Sequence, residues 1–164
     1  MGGTKTVWNK IKPYVISIAI ALAVGGLSAV LTNSKMAMYS EVNKPVWSPP
    51  TWLFPVVWSL LFVLMGIGAA LVWVNRDKDI ETARSGLFVY GLQLVVNFFW
   101  SIIFFNMQAY FFALVWLILL LALIVVMIFK FKKINTAAAL MQIPYVVWVA
   151  FAGVLTAMVY LMNR

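Results

Sequence analysis

Tyr110 to Phe129 reads YFFALVWLILLLALIVVMIF, twenty residues with no charge and no polar group except the Tyr110 phenol and the Trp116 indole N–H. As a helix rising 1.5 Å per residue, such a run is about 30 Å long, the thickness of a bilayer's hydrocarbon core. It ends at Lys130-Phe131-Lys132-Lys133, where ammonium groups must reach water. Only Asn106-Met107-Gln108-Ala109 separates it from a second uncharged run, Leu87–Phe105. Two such runs so closely joined predict an antiparallel pair of membrane helices. Working outward, Tyr14–Leu31, Leu53–Val74 and Ala137–Leu161 qualify in the same way. Each must be helical, because in lipid a backbone amide has to be satisfied within its own segment. The expected fold is therefore an all-α membrane protein, a five-transmembrane-helix bundle, with residues 1–164 forming a single domain. Pro55 falls in the first turn of its span, where a missing N–H costs nothing. Pro144 lies inside the last span and predicts a kink there.

Composition points the same way. The chain is 65% hydrophobic and only 10% charged, with a mean hydropathy of +1.02, whereas soluble domains carry about 25% charged residues. The net charge of +8 comes from 12 Lys and Arg against 4 Asp and Glu. These cations sit in short links between apolar runs and form no basic stripe, so nucleic acid is not an expected partner and the lipid bilayer is. Nine of them (Lys5, Lys10, Lys12, Arg76, Lys78, Arg84, Lys130, Lys132 and Lys133) fall on the N-terminal side of a five-span chain, and three (Lys35, Lys44 and Arg164) on the other. By the positive-inside rule the N-terminus is cytoplasmic and the C-terminus outside, and so strong a bias argues against dual topology. Lys10-Ile11-Lys12 before an apolar run resembles a signal peptide, but no small-x-small cleavage site follows, so a retained first span is expected. Met1–Thr6 matches the short myristoylation pattern and is read as a chance match.

The chemistry on offer is narrow. The sequence has no Cys and no His, which removes thiol chemistry, His or Cys zinc sites and the usual haem ligands. None of the five expected spans contains a charged residue, which counts against ion-coupled transporters and proton relays. Glu41 is the one carboxylate outside the Asp77, Asp79 and Glu81 link, so no general acid or base is at hand for an enzyme. Accordingly no catalytic residue and no metal ligand is expected. The span serines read as sites of close helix packing. What the chain does supply is aromatic: 8 Trp, 12 Phe and 6 Tyr. Trp8, Tyr14, Trp73, Tyr110, Trp116 and Tyr160 suit the membrane interface. Gln93, Asn97 and Trp100 follow at i, i+4 and i+7, one face of a helix. Two amides on one face must point inward, either to bond between helices or to furnish a polar spot in an apolar pocket. The long first loop, Thr32–Trp52, is a candidate lid.

Read together, Tyr39-x4-Lys44-Pro45-x-Trp47-Ser48-Pro49-Pro50-x-Trp52-x-Phe54-Pro55-x2-Trp58 resembles the signature of the TspO/MBR family, the tryptophan-rich sensory proteins of bacteria with the mitochondrial translocator protein (peripheral benzodiazepine receptor) as animal member. Met65-Gly66, then Gln93-Leu94-x2-Asn97-x2-Trp100-Ser101-x2-Phe104-Phe105, then Pro144-Tyr145-x2-Trp148-x2-Phe151-Ala152 follow in the family's order. The resemblance covers roughly Tyr39 to Asn163. It implies five packed helices, a homodimer, and a pocket beneath the first loop for porphyrins such as protoporphyrin IX and haem, sterols in animals, and synthetic isoquinoline carboxamides and benzodiazepines. The positions that match the family's ligand-binding residues are Tyr39, Trp47, Trp58, Phe62, Gln93, Asn97, Trp100, Trp148 and Ala152. Trp58 and Trp148 would be stacking walls, Asn97 and Gln93 would bond a carbonyl or propionate, and Tyr39 with the Pro-rich loop would act as lid. Two positions depart from the pattern: Phe62 stands where many members have Tyr, and Leu155-Thr156 where many have Leu-Asn. Leu155-x4-Tyr160-x3-Arg164 fits a loose sterol-contact pattern and is read as an interfacial Tyr and a terminal Arg.

The function these readings imply is an integral membrane receptor or carrier that binds tetrapyrroles, with a regulatory or transport role and no cofactor beyond porphyrin or haem as ligand. The alternatives are a light- and oxygen-dependent porphyrin-degrading protein and a structural or partner subunit. A bacterial cell membrane is the expected location.

Overall fold

The computed structural model describes residues 3–164, with the backbone alone at residues 3–6, 37 and 38. Met1 and Gly2, which begin the myristoylation pattern, lie outside the described residues. Six α-helices follow in order: α1 (Gly3–Tyr39), α2 (Leu53–Val74), α3 (Ile80–Ser101), α4 (Tyr110–Ile134), α5 (Thr136–Leu140) and α6 (Ile143–Met162). A 3-10 turn spans Arg76–Lys78, and a π-helical turn, Ile102–Asn106, extends α3. There is no strand among the described residues. Helices α1 to α4, and α5 with α6 as one crossing, are long and apolar enough to make five membrane spans. The chain is an all-α integral membrane protein.

The helix ends depart from the sequence reading for local reasons. Helix α1 runs on to Tyr39, well past Leu31. The Thr32 hydroxyl donates to the Ser28 carbonyl at 2.9 Å, so this polar residue is satisfied inside the helix and does not end it. The end comes where the Lys44 ammonium donates to the carbonyls of Tyr39 (2.9 Å) and Ser40 (3.3 Å), a cation at a helix C-terminus. The first loop is correspondingly short, residues 40–52. Helix α3 begins before Leu87, because the Asp79 carboxylate accepts the Thr82 N–H at 3.0 Å as an N-cap. Glu81 and Arg84 are thus helical. Helix α4 continues through Lys130–Ile134, and the Lys78 ammonium donates to the carbonyl of Ile134 at 3.2 Å.

The interruption expected at Pro144 falls in the turn just before it, where the ring leaves the carbonyl four residues back without its N–H partner. The span breaks at Met141-Gln142, and Pro144 sits in the first turn of the new helix α6, where proline is tolerated. Gln142 is fully buried at the break and donates to the Ala138 carbonyl at 3.2 Å, which links the two pieces. The three residues before α4, Met107 to Ala109, reverse the chain with Gln108 in the left-handed region, φ 52°.

Helix α1 packs chiefly on α2, α3 on α4, and α4 on α6, with α5 against α2 and α4. Lipid offers no hydrophobic drive between helices, so close packing must hold them. Gly66 shows how close α1 and α2 come: a Cβ there would stand 2.6 Å from the Ile18 Cα. Helices α2 and α6 meet through rings, Phe54 on Trp148 (5.9 Å) and Trp58 on Tyr145 (6.1 Å).

Candidate ligand-binding site

Three buried polar side chains, from α3 and α6, form one connected chain. Asn97 Nδ2 donates to the Tyr145 hydroxyl at 3.1 Å, Tyr145 donates to Gln93 Oε1 at 2.7 Å, and Gln93 Nε2 contacts Met65 Sδ at 3.5 Å. Gln93, Asn97 and Tyr145 are all buried. The expected inward face of α3 is therefore real, and its two amides are joined through a phenol on α6. In an apolar interior this arrangement is the alternative to leaving three polar groups unpaired.

Around that chain lies a continuous set of rings. Trp58 packs on Phe62 (5.7 Å), Trp100 (6.2 Å) and Tyr145. Trp100 continues to Phe104 at 5.4 Å, and Phe104 to Tyr39 at 5.8 Å. Tyr39 meets Phe54 at 5.9 Å. Beyond Phe54 and Trp148 the set ends at Phe151 and at Trp47, 6.0 Å from the Phe151 ring. Most pairs are tilted or edge-on, the geometry that aromatic quadrupoles favour. Burial pushes the Tyr39 phenol above its usual pKa, and the Lys44 ammonium lies 4.6 Å from the centre of its ring.

A cleft of about 80 Å³ opens between α1, α2 and α3. Four of the nine expected residues line it: Trp58, Phe62, Asn97 and Trp100. The α1 wall is formed by Gly25, Ser28 and Thr32 among others. Phe62 reaches this wall because Gly25 has no side chain; a Cβ there would overlap the Phe62 ring. The exposed Ala29 and Pro55 belong to the lining, so the cleft opens on the outer surface of the bundle, where lipid lies.

The other five residues lie elsewhere. Gln93 is wholly buried behind Tyr145. Trp148 is half-buried between Phe54 and Phe151, and Ala152 is buried on α6 one turn on, its carbonyl taken by the Thr156 hydroxyl at 2.7 Å. Trp47 is half-exposed on the loop. Tyr39 lines a smaller recess with Lys35, Phe104 and Tyr110. No loop residue between 40 and 52 lines the main cleft. The loop is instead fastened to the end of α6, where Asn163 accepts the Asn43 N–H (3.2 Å) and donates to the Asn43 carbonyl (2.7 Å).

Sequence reasoning missed Tyr145, Phe54 and the α1 wall. Tyr145 had a signal, since it shares a buried helical face with Val149, Ala152 and Thr156. Ser28 had none, because a serine in an apolar run reads first as a packing residue. Among the described residues no cluster of three or more His, Cys, Asp or Glu could hold a metal. The site suits a flat apolar ligand. Pockets for drug-sized ligands run to about 300–1,000 Å³, so a macrocycle would need α1 to draw back or would insert by one edge only.

The sequence profile of the TspO/MBR family matches residues 17–161. A tryptophan-rich protein TspO from Chlorobaculum tepidum is 35% identical over 156 residues, 94% of this chain and 98% of that protein. One from Archaeoglobus fulgidus is 35% identical over 151 residues, 91% and 95%. A translocator protein from Bos taurus is 31% identical over 147 residues, 87% of each chain.

Proposed function

The chain belongs to the TspO/MBR family, and we propose that this membrane protein is a receptor or carrier for tetrapyrroles, protoporphyrin IX and haem, and for similar flat hydrophobic ligands. The observation that carries the reading is the cleft at which Trp58, Phe62 and Trp100 offer aromatic surface beside the buried Asn97. Aromatic contact adds about 0.5–1.5 kcal/mol beyond area burial, and micromolar binding needs about 8 kcal/mol. Stacking therefore selects flat ligands, while burial of their faces supplies most of the affinity. The bundle has no intramembrane charge to couple an ion gradient to movement, which favours a receptor or facilitated carrier over a pump. Within this reading the protein is a homodimer and its N-terminus is cytoplasmic.

The test is quenching of tryptophan fluorescence by protoporphyrin IX in the purified protein, dark and illuminated. Wild type should quench saturably, and Trp58→Ala should weaken binding about tenfold, the loss of one aromatic contact with part of its burial. Unchanged affinity in a folded Trp58→Ala variant would remove the ligand from this cleft. Loss of porphyrin only under light, and faster than for free porphyrin, would instead make the protein a photodegrading one.

A further inference from the structure

We infer that the C-terminal half of α1 is a lateral gate: it turns on Gly25-Gly26, is latched by the Asn106 side chain on the Leu31 carbonyl, and admits ligands to the cleft from the bilayer. The inference rests on the proposed function only in taking the cleft as the place that ligands reach. Helix α1 divides at the glycine pair. Before the pair it is tightly packed: a Cβ on Gly66 of α2 would stand 2.6 Å from the Ile18 Cα, and Ala21 is wholly buried. After the pair its inward stripe, Ser28, Thr32 and Met36 at steps of four, lines the cleft. That stripe borders open space where the first half meets a neighbour. Close packing is what holds membrane helices together, so the second half is held less firmly than the first.

The fulcrum and the latch are local. The Phe62 ring lies against Gly25, where an added Cβ would overlap it, while a Cβ on Gly26 would meet nothing within 4 Å. Glycine is the least helix-favouring residue after proline, and a pair of small residues is a place where helices bend. Further along, Asn106 Nδ2 donates to the Leu31 carbonyl at 3.1 Å, in an exposed position. Among the described residues this is the one side-chain hydrogen bond that ties α1 to another helix. The Thr32 hydroxyl bonds within α1, to the carbonyls of Ser28 (2.9 Å) and Ala29 (3.4 Å), a pattern that favours bending. Asn106 closes the π-helical turn Ile102–Asn106, a form found mostly at functional sites. The other two walls are joined to each other, by Trp58 against Trp100 (6.2 Å) and by Gln93 on Met65. At about 80 Å³ the latched cleft is far smaller than the 300–1,000 Å³ or so of pockets for drug-sized ligands. Entry needs a wall to yield, and α1 is the wall that is free to.

Neither Gly26 nor Asn106 lines the cleft, so substitutions there spare its walls and act on the movement. Asn106→Ala removes the latch and should quicken association of protoporphyrin IX, read by stopped-flow tryptophan quenching, about three- to tenfold, the worth of one hydrogen bond. Gly26→Ala stiffens the helix without meeting a neighbour and should slow association up to about fivefold. The chain has no cysteine, so a single trifluoromethyl tag can be set at Val30→Cys, beyond the pair, or at Val15→Cys, before it, both exposed positions. Without any ligand, fluorine relaxation dispersion should show microsecond-to-millisecond exchange at Val30→Cys and none at Val15→Cys. Asn106→Ala should enlarge that exchange and Gly26→Ala reduce it. No exchange at Val30→Cys, equal exchange at both tags, or exchange that neither variant alters would overturn the gate. If the tags respond as expected and protoporphyrin IX does not bind, the tetrapyrrole reading falls and the gate stands. If the porphyrin binds at a rate that neither variant changes, the gate falls and the reading stands.

Discussion

Tyr145 shows how much can rest on one hydroxyl. It accepts from Asn97 at 3.1 Å and donates to Gln93 at 2.7 Å, fully enclosed. Tyr145→Phe keeps the ring against Trp58 and strands an amide N–H and an amide oxygen. A buried unsatisfied group costs about 1–3 kcal/mol, so the variant should unfold at a clearly lower temperature in detergent micelles. Gln93→Leu should cost less in the Tyr145→Phe background than in wild type, because its oxygen has then already lost its donor. Additive losses would mean the chain of hydrogen bonds does not act as a unit. The sequence showed half of this arrangement. The spacing of Gln93 and Asn97 put both on one face, but their shared partner lies 52 and 48 residues away, and no local pattern names a partner at that distance. The same limit hid Ser28, whose neighbours in the cleft all come from other helices except those on α1 itself.

At the scale of helices, the apolar runs were legible because lipid leaves few choices, while the ends depended on single side chains. Leu53–Val74 was read to the residue; α1 overran its expected end because Thr32 bonds backward, and α3 began early because Asp79 caps it. Hydrogen bonds from Thr82, through its side chain and then its backbone, hold the Asp79 carboxyl below the usual carboxylate range. The sign follows: the cap contributes stability that is fully present above the ordinary carboxylate pKa of about 4 and is lost as pH falls through the lower folded value. Asp79→Asn should keep a capping oxygen and remove this acid-side dependence, seen as a flatter unfolding temperature between pH 5 and pH 3. An unchanged pH profile would take Asp79 out of the account. Glycines divide in the same local way. Gly66 faces the Ile18 backbone, 2.6 Å from where its Cβ would be, whereas Gly91 has nothing within 4 Å. Gly66→Ala must push α1 off α2 and should cost about 1–3 kcal/mol. Gly91→Ala meets no neighbour and should be neutral or stabilising by up to about 1 kcal/mol. Equal effects in thermal unfolding would deny the close approach. The sequence singles out Gly66, in Met65-Gly66, and not Gly91, but what each faces is set by the packing.

For the whole molecule the question is which way it faces. Five crossings put the termini on opposite sides, and the basic residues divide nine to three between those sides. Lys130, Lys132 and Lys133 follow the most apolar span, and Lys78 caps the same helix at the carbonyl of Ile134. These cations are thus held at one end of the bundle by the fold as well as by the chain. Moving them through hydrocarbon would cost several kcal/mol each, so orientation, once chosen during insertion, is kept. By the positive-inside rule that end is expected in the cytoplasm and the Glu41 end outside. The sequence has no cysteine, so single-cysteine reporters need no background removed. Glu41→Cys and Lys133→Cys are both at exposed positions at opposite ends of the bundle. In intact bacterial spheroplasts a membrane-impermeant maleimide should label Glu41→Cys at once and Lys133→Cys only after permeabilisation. The reverse pattern would turn the molecule over, and labelling of both in sealed cells would mean that the nine-to-three division does not fix one orientation.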